Sequence, residues 1–369
     1  MNEWEEFNKQ LEKNDLLRVP LSIDRRSDAY IHINDRTYLD FSSNDALGLG
    51  QDVMNIEAVS GSGASRLVTG NMRAVEGVER EFSEWMGFES ALLFPSGWQA
   101  NTTLMSGLFD KNDLILSDEF NHASLVDGMR LSNCRKKIFP HKDINAIKLL
   151  IDQEKPTAIV IESLYSVDGD FFPINELIEL LRGSGVLLVV DEAHATGIYG
   201  SRHQGCCASA HIYKDLIKVA TCSKALGAQG AFVLMSESCR LYLMNKGRGF
   251  IFSTGVSPVM AKLIQIQIHK ILNNELDQNT LIELSIYFDK KLRDAGYLCL
   301  NDKGSHVLTI DFDSHDKGRK VRDNLRDNGV WTAWLRYPTV PEGRSRIRFS
   351  LTVHHKKEHI QQILQILAS

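Results

Sequence analysis

The chain has 369 residues, 43% hydrophobic and 24% charged, with a formal net charge of −5. That length leaves room for two or so compact units with buried cores, and the mild acidic balance argues against a large nucleic-acid footprint, which needs a basic excess. No apolar run approaches the roughly 20 residues that span a bilayer, and the charged start MNEWEEFNKQLEK lacks an apolar signal region. Six cysteines, at 134, 206, 207, 222, 239 and 299, have no C-x-x-C spacing, which suits reduced thiols better than disulfides or a zinc site. The expectation is a cytoplasmic protein without a metal and with neither membrane nor nucleic acid as partner.

In chain order, residues 3–18 predict an amphipathic helix, and 29–41 (AYIHINDRTYLDF) predict two short strands around an Asn-Asp turn. From about residue 60, short apolar runs recur: ALLF (91–94), LILS (114–117), AIVIES (158–163), VLLVVDEA (186–193), IKVATCS (217–223) and GAFVLM (230–235). Amphipathic stretches at 76–86, 99–109, 143–152 and 174–182 separate most of them. Unbroken strands alternating with helices predict an α/β unit whose central sheet is mostly parallel and covered on both faces. Ligands of such sheets bind beyond the carboxyl ends of the strands. After about 257 a helical stretch (258–296) leads to HVLTIDF (306–312), RIRFSL (346–351) and a terminal helix (355–367), which reads as a smaller α+β domain. The predicted organisation is an N-terminal arm (1–48), a large domain (49–257) and a small C-terminal domain (258–369).

The strand-end segments carry the chemistry. Asp191 emerges at the end of the apolar strand 186–190, where a carboxylate is costly without a positive partner. A protonated pyridine nitrogen is such a partner: two unit charges about 4 Å apart at an effective dielectric of about 20 attract by roughly 4 kcal/mol. That equals about 3 pKa units in favour of the protonated ring. His194, three residues on, could reach the same ligand. The letters Asp191-Glu192-Ala193-His194 also spell the DEAH box of nucleotide-driven helicases. That alternative needs an upstream G-x-x-x-x-G-K-[ST] loop, and the chain contains no Gly-Lys pair.

In IKVATCSKALGAQG, Lys224 leaves a buried strand into a loop containing Gly227 and Gly230. Desolvation there makes an amine nucleophilic toward an aldehyde. Hydroxyls at Thr221 and Ser223 can bind phosphate oxygens, and the glycines let a backbone approach closely. In ALLFPSGWQAN (91–101), Ser96-Gly97 precede a helix start, whose free N–H groups make a phosphate site. In DEFNHASLVDG (118–128), His122 follows a strand, where its ring could stack on a flat ligand or act as acid or base.

Together these segments resemble the α-oxoamine synthases, a family within the aspartate-aminotransferase-like (fold type I) enzymes that use pyridoxal 5′-phosphate (PLP). The likeness runs through FSSNDALGLG (41–50), GSGASRLVTGN (61–71), LLFPSGWQAN, NHAS, ESLYSVDGD (162–170), DEAHATG, SKALG, IFST (251–254) and PTVPEGRSRIRFSLT (338–352). It implies that Lys224 carries PLP and acts as general base and acid, while Asp191 binds the ring nitrogen. It further implies that His122 stacks on the ring and His194 contacts its 3-oxygen. Ser166 and Thr221 would add cofactor contacts, and Gly97 and Trp98 would offer amides to the phosphate. Thr254 would reach the phosphate from the partner subunit of a homodimer. Arg348 would bind the amino acid's carboxylate, with Arg18 and Thr339 on the acyl side. Arg346 stands two residues from Arg348 on the same strand face and could equally be a structural ion-pair member.

The implied reaction joins an amino acid to an acyl thioester, of coenzyme A or a carrier protein, with loss of CO₂. The C-terminal wording points to alanine with a pimeloyl thioester on the way to biotin. Glycine with acetyl-CoA, or serine with a fatty acyl donor, are the alternatives. Val75 stands where the family usually has histidine, Ala46 replaces an aromatic, and 51–60 is short. These departures are expected to lie toward the substrate.

Overall fold

The computed structural model describes residues 2–207 and 213–369. The chain opens with α1 (Glu3–Lys13), β1 (Arg25–Ser27), β2 (Tyr30–Ile33) and β3 (Arg36–Phe41). There follow α2 (Arg73–Met86), β4 (Ser90–Phe94), α3 (Gly97–Leu108), β5 (Leu114–Asp118), α4 (Ala123–Ser132) and β6 (Arg135–Phe139). Next come α5 (Ile144–Glu154), β7 (Ala158–Glu162), α6 (Ile174–Leu181), β8 (Leu187–Asp191), β9 (Leu216–Thr221) and β10 (Ala231–Met235). The helices α7 (Glu237–Lys246), α8 (Arg248–Ile251), α9 (Pro258–Leu272) and α10 (Gln278–Asp294) lead to β11 (Val307–Phe312). The chain closes with α11 (His315–Asp327), β12 (Val330–Leu335), β13 (Ser345–Ser350) and α12 (Lys357–Ala368).

These elements divide into two units: residues 1–46, 167–169 and 279–369, and residues 47–166 and 170–278. In the first, β2 and β3 pair antiparallel with Ile33 opposite Arg36. The two turn residues Asn34 and Asp35 both take positive φ, 47° and 63°, as the tightest hairpins require. The strand order is β1-β2-β3-β12-β13-β11; pairing of β3 with β12 joins the N-terminal segment to the C-terminal one. Helix α1 stops at Lys13, short of the expected 18, because Asp15 turns left-handed at φ 55°. The expected 258–296 helix is likewise two helices, with Asn274 at φ 53° between them; α9 belongs to the second unit, where it packs against α2.

The second unit is a seven-stranded sheet in the order β4-β10-β9-β8-β7-β5-β6. Its pairs are parallel from β9 through β6, and β10 runs antiparallel to both neighbours. Alternation along β7 divides the core in two. Ala158 and Val160 join Leu104, Met105, Leu125 and Met129 of α3 and α4 on one face. Ile159 and Ile161 join Ile147, Leu177 and Leu181 of α5 and α6 on the other. Burial of each large aliphatic side chain stabilises by roughly 1.5–3 kcal/mol, so both helical layers hold the sheet and with it the strand ends. Among the described residues no helix is long and apolar enough to cross a membrane.

Candidate active site

Three neighbouring strands of this sheet end in acids: β5 in Asp118, β7 in Glu162 and β8 in Asp191, all buried. Glu162 and Asp191 are direct register partners. Both oxygens of Asp191 are engaged: Asn101 Nδ2 of α3 donates to Oδ2 at 2.7 Å, and the Ala193 amide donates to Oδ1 at 2.8 Å. The same Asn101 nitrogen reaches Ser124 Oγ at 2.9 Å. Burial pushes the Glu162 carboxyl well above the usual carboxylate range, and Asp191 beside it adds to the rise. The charge of Lys224 and a hydrogen bond from the His122 amide oppose that shift without cancelling it.

His122 caps α4 and its Nδ1 lies 2.8 Å from Ser124 Oγ. Its amide donates to Glu162 Oε1 at 2.6 Å. Burial pushes the imidazole below its ordinary value; Asp191 opposes this and Lys224 assists it. The ring is therefore a neutral plane at neutral pH, with Trp98 edge-on at a centroid distance of 6.1 Å.

Beyond β9, Lys224 is half-buried in a turn closed by the Gly227 amide, which donates to the Lys224 carbonyl at 2.9 Å. Gly227 has φ 59°, and a Cβ there would meet Gly50 N at 2.1 Å. The backbone approaching this glycine is thus that of Leu49 and Gly50. After β4, Ser96 caps α3 by accepting from the Gln99 amide at 3.1 Å. This leaves Gly97 and Trp98 at the helix head, where amides have no intrahelical partner. A Cβ on Gly97 would project to within 3.7 Å of Thr221 Oγ1, which itself lies 2.8 Å from Ser223 Oγ. The absent side chain leaves a cradle between helix head and hydroxyls, shaped for an anion.

His194 is buried three residues past Asp191, and Ser166 is half-buried beyond β7. Thr254 is exposed, bridged to Ser65, and lines a crevice with Pro95 and Gln99. In the first unit, Arg348 Nη2 donates to Asn44 Oδ1 at 3.3 Å, and burial pushes its guanidinium down. Arg346 instead pairs with Asp168 and, at 3.2 Å, with Asp311, which makes it the structural member of the two. Arg18 Nη2 donates to the Tyr337 carbonyl at 3.3 Å, in the turn that carries the exposed Thr339. Ala46 and Val75, expected toward the substrate, are both buried, because small apolar side chains are taken up by packing.

The DEAH alternative fails on geometry. Glu192, the second acid of that box, is fully buried, pairs with Lys218 at 2.8 Å and accepts the Cys207 amide at 2.9 Å. Its carboxylate is committed to the interior, and among the described residues no cluster of three or more His, Cys, Asp or Glu side chains is placed to hold a metal ion.

A flat, phosphate-bearing pyridine fits what remains: a buried, doubly held carboxylate, a neutral ring, a half-buried lysine and an open anion cradle. A model of the aminotransferase class I and II family matches residues 36–367. The chain is similar to 8-amino-7-oxononanoate synthase of Aliivibrio fischeri, 32% identical over 94% of this chain and 92% of that one. Its counterpart from Vibrio parahaemolyticus is 34% identical over 89% and 87%. Among solved structures, serine palmitoyltransferase of Sphingomonas wittichii superposes with a TM-score of 0.91 at 25% identity, covering 99% and 97% of the two chains. The 8-amino-7-oxononanoate synthase of Francisella tularensis gives 0.79 at 26% identity, covering 90% and 97%. The chain belongs to the aminotransferase class I and II family and, within it, to the α-oxoamine synthases, acyltransferases that work with pyridoxal 5′-phosphate.

Proposed function

We propose that this enzyme condenses L-alanine with a pimeloyl thioester, of coenzyme A or a carrier protein, to give 8-amino-7-oxononanoate, CO₂ and free thiol for biotin synthesis. The observation that carries the reading is the buried Asp191 carboxylate, held on both oxygens and set one strand from the lysine loop. The printed name of relatives 32% and 34% identical over most of the chain, 8-amino-7-oxononanoate synthase, supports the product of this reading.

When bound, PLP supplies an electron sink that makes the amino acid's α-carbon nucleophilic. Lys224 would anchor the cofactor until the amino acid's amine displaces it, and its freed Nζ would then take the α-proton and later return one. With PLP bound, Asp191 would keep a proton on the ring nitrogen, His122 would stack on the ring, and His194 and Ser166 would contact its polar edge. Thr221 and the amides of Gly97 and Trp98 bind the phosphate. Arg348 takes the amino acid's carboxylate, while Arg18 and Thr339 serve the acyl side. Thr254 reaches the site of a second copy in a cytoplasmic homodimer. Exposed Val68, Phe252 and Leu67 flank the Ser65–Thr254 bridge, an apolar surface suited to being covered.

A second reading, serine or glycine with another acyl donor, is favoured by the likeness in fold to serine palmitoyltransferase. A panel of alanine, serine and glycine against pimeloyl, acetyl and palmitoyl thioesters, followed by thiol release, tests the choice. The expected result is turnover with alanine and the pimeloyl donor. Turnover confined to another pair overturns it.

A further inference from the structure

We propose that His141 is a positioning residue: its imidazolium ties Asp118 to Asp170 and so sets the loop that carries His122. The loop leaves β5 at Asp118 and ends where His122 caps α4. Asp118 Oδ1 accepts from the Phe120 amide at 2.9 Å and lies 2.9 Å from His141 Nδ1. His141 Nε2 lies 2.8 Å from Asp170 Oδ2. Both ring nitrogens thus face carboxylate oxygens. A neutral imidazole has one donor, so only the protonated ring satisfies both.

The remaining neighbours are consistent with a cation. The Phe120 ring lies tilted over the imidazole at 4.6 Å, which couples the loop directly to it, and Tyr165 stands edge-on at 4.4 Å. Glu119 Oε1 accepts the His141 amide at 2.8 Å, and Lys142 pairs with Asp170 at 2.9 Å. Asp118 Oδ2 accepts the Lys142 amide at 3.0 Å. Tyr165 also links the cluster to Glu162, whose amide donates to the phenol oxygen at 3.4 Å. Glu162 in turn accepts the His122 amide at 2.6 Å. The loop is therefore pinned at its start by the clamp and at its end by Glu162.

Burial alone would lower the His141 pKa, but the hydrogen bonds and charges of Asp118 and Asp170 prevail and raise it to about 9. Asp170 mirrors this: burial opposes ionisation, while His141 and Lys142 pull its carboxyl below the ordinary value. The clamp's stabilisation is complete below the ring's ordinary pKa of 6.5 and is lost as pH rises through about 9.

This inference rests on the proposed place of His122 against the cofactor ring. The test follows the visible circular dichroism of bound PLP, and its dissociation constant, from about pH 7 to about pH 10. The wild-type holoenzyme is compared with His141→Gln, Asp170→Asn and His122→Ala. Wild type is expected to show a step near pH 9. His141→Gln should lose that step and bind PLP roughly tenfold more weakly at neutral pH. Asp170→Asn should keep a step but move it to lower pH, which a merely misfolded variant would not do. If His141→Gln keeps both the step and the affinity, or Asp170→Asn leaves the midpoint in place, the clamp is overturned. A His122→Ala dichroism identical to wild type would instead overturn the placement of His122, and the clamp's purpose with it.

Discussion

Asp191 and Asn101 define the residue scale. A carboxylate that must hold a proton on a ring nitrogen needs a fixed orientation, and Asn101 supplies one of its two anchors. A hydrogen bond to a charged group contributes about 1.5–3 kcal/mol, so Asn101→Ala should weaken PLP binding by roughly 10- to 100-fold. Spectroscopic titration of the apoenzyme checks this; an unchanged dissociation constant would mean that the amide only fills space. Asp191 was legible in the sequence because an acid ending an apolar strand is conspicuous. Glu162, ending AIVIE, carries the same signature and could have been read by the same rule. Asn101 could not: its partner lies 90 positions away and no local pattern joins them.

Elements were legible wherever periodicity and turn chemistry agreed. The Asn34-Asp35 hairpin and the apolar strands β4, β5 and β7 to β10 follow from pattern alone, whereas β6, RKKIF with four exposed residues, carries no such pattern. The strand β12 was not foreseen, because Trp331 and Trp334 blur its alternation. Their rings lie beneath Arg326 at 4.1 Å and Arg322 at 4.3 Å, satisfied as cation platforms. In the same unit His355 locks the segment after β13. Its Nδ1 accepts the Thr352 amide at 2.9 Å, its Nε2 faces the Asp40 carbonyl at 3.0 Å, and its ring stacks on Phe41 at 3.9 Å.

That geometry suits the neutral ring, and burial, reinforced by His359, pushes the pKa to about 3. The Asp40 carbonyl opposes the shift only in part. As pH falls below 6.5 the unfolded chain takes up a proton that the folded ring refuses. Stability then declines by about 1.4 kcal/mol per pH unit until about pH 3 is reached. Denaturant titrations at about pH 7 and about pH 5 should therefore show wild type losing about 2 kcal/mol more than His355→Gln. Equal losses would contradict the account.

At the scale of the molecule, the mostly parallel sheet was legible from alternating strands and helices. So was the rule that chemistry gathers at its carboxyl edge. The grouping of residues 1–46 with 279–369 was not, since it depends on long-range contacts that no local pattern joins, the pairing of β3 with β12 among them. The central claim is that the lysine loop after β9 anchors the cofactor. Borohydride reduction of the PLP-loaded enzyme, followed by proteolysis and peptide mass mapping, tests it most directly. The account predicts one stoichiometric pyridoxyl label, on Lys224, and no label in Lys224→Ala. A label confined to another lysine, or none on a fully loaded wild type, would contradict it.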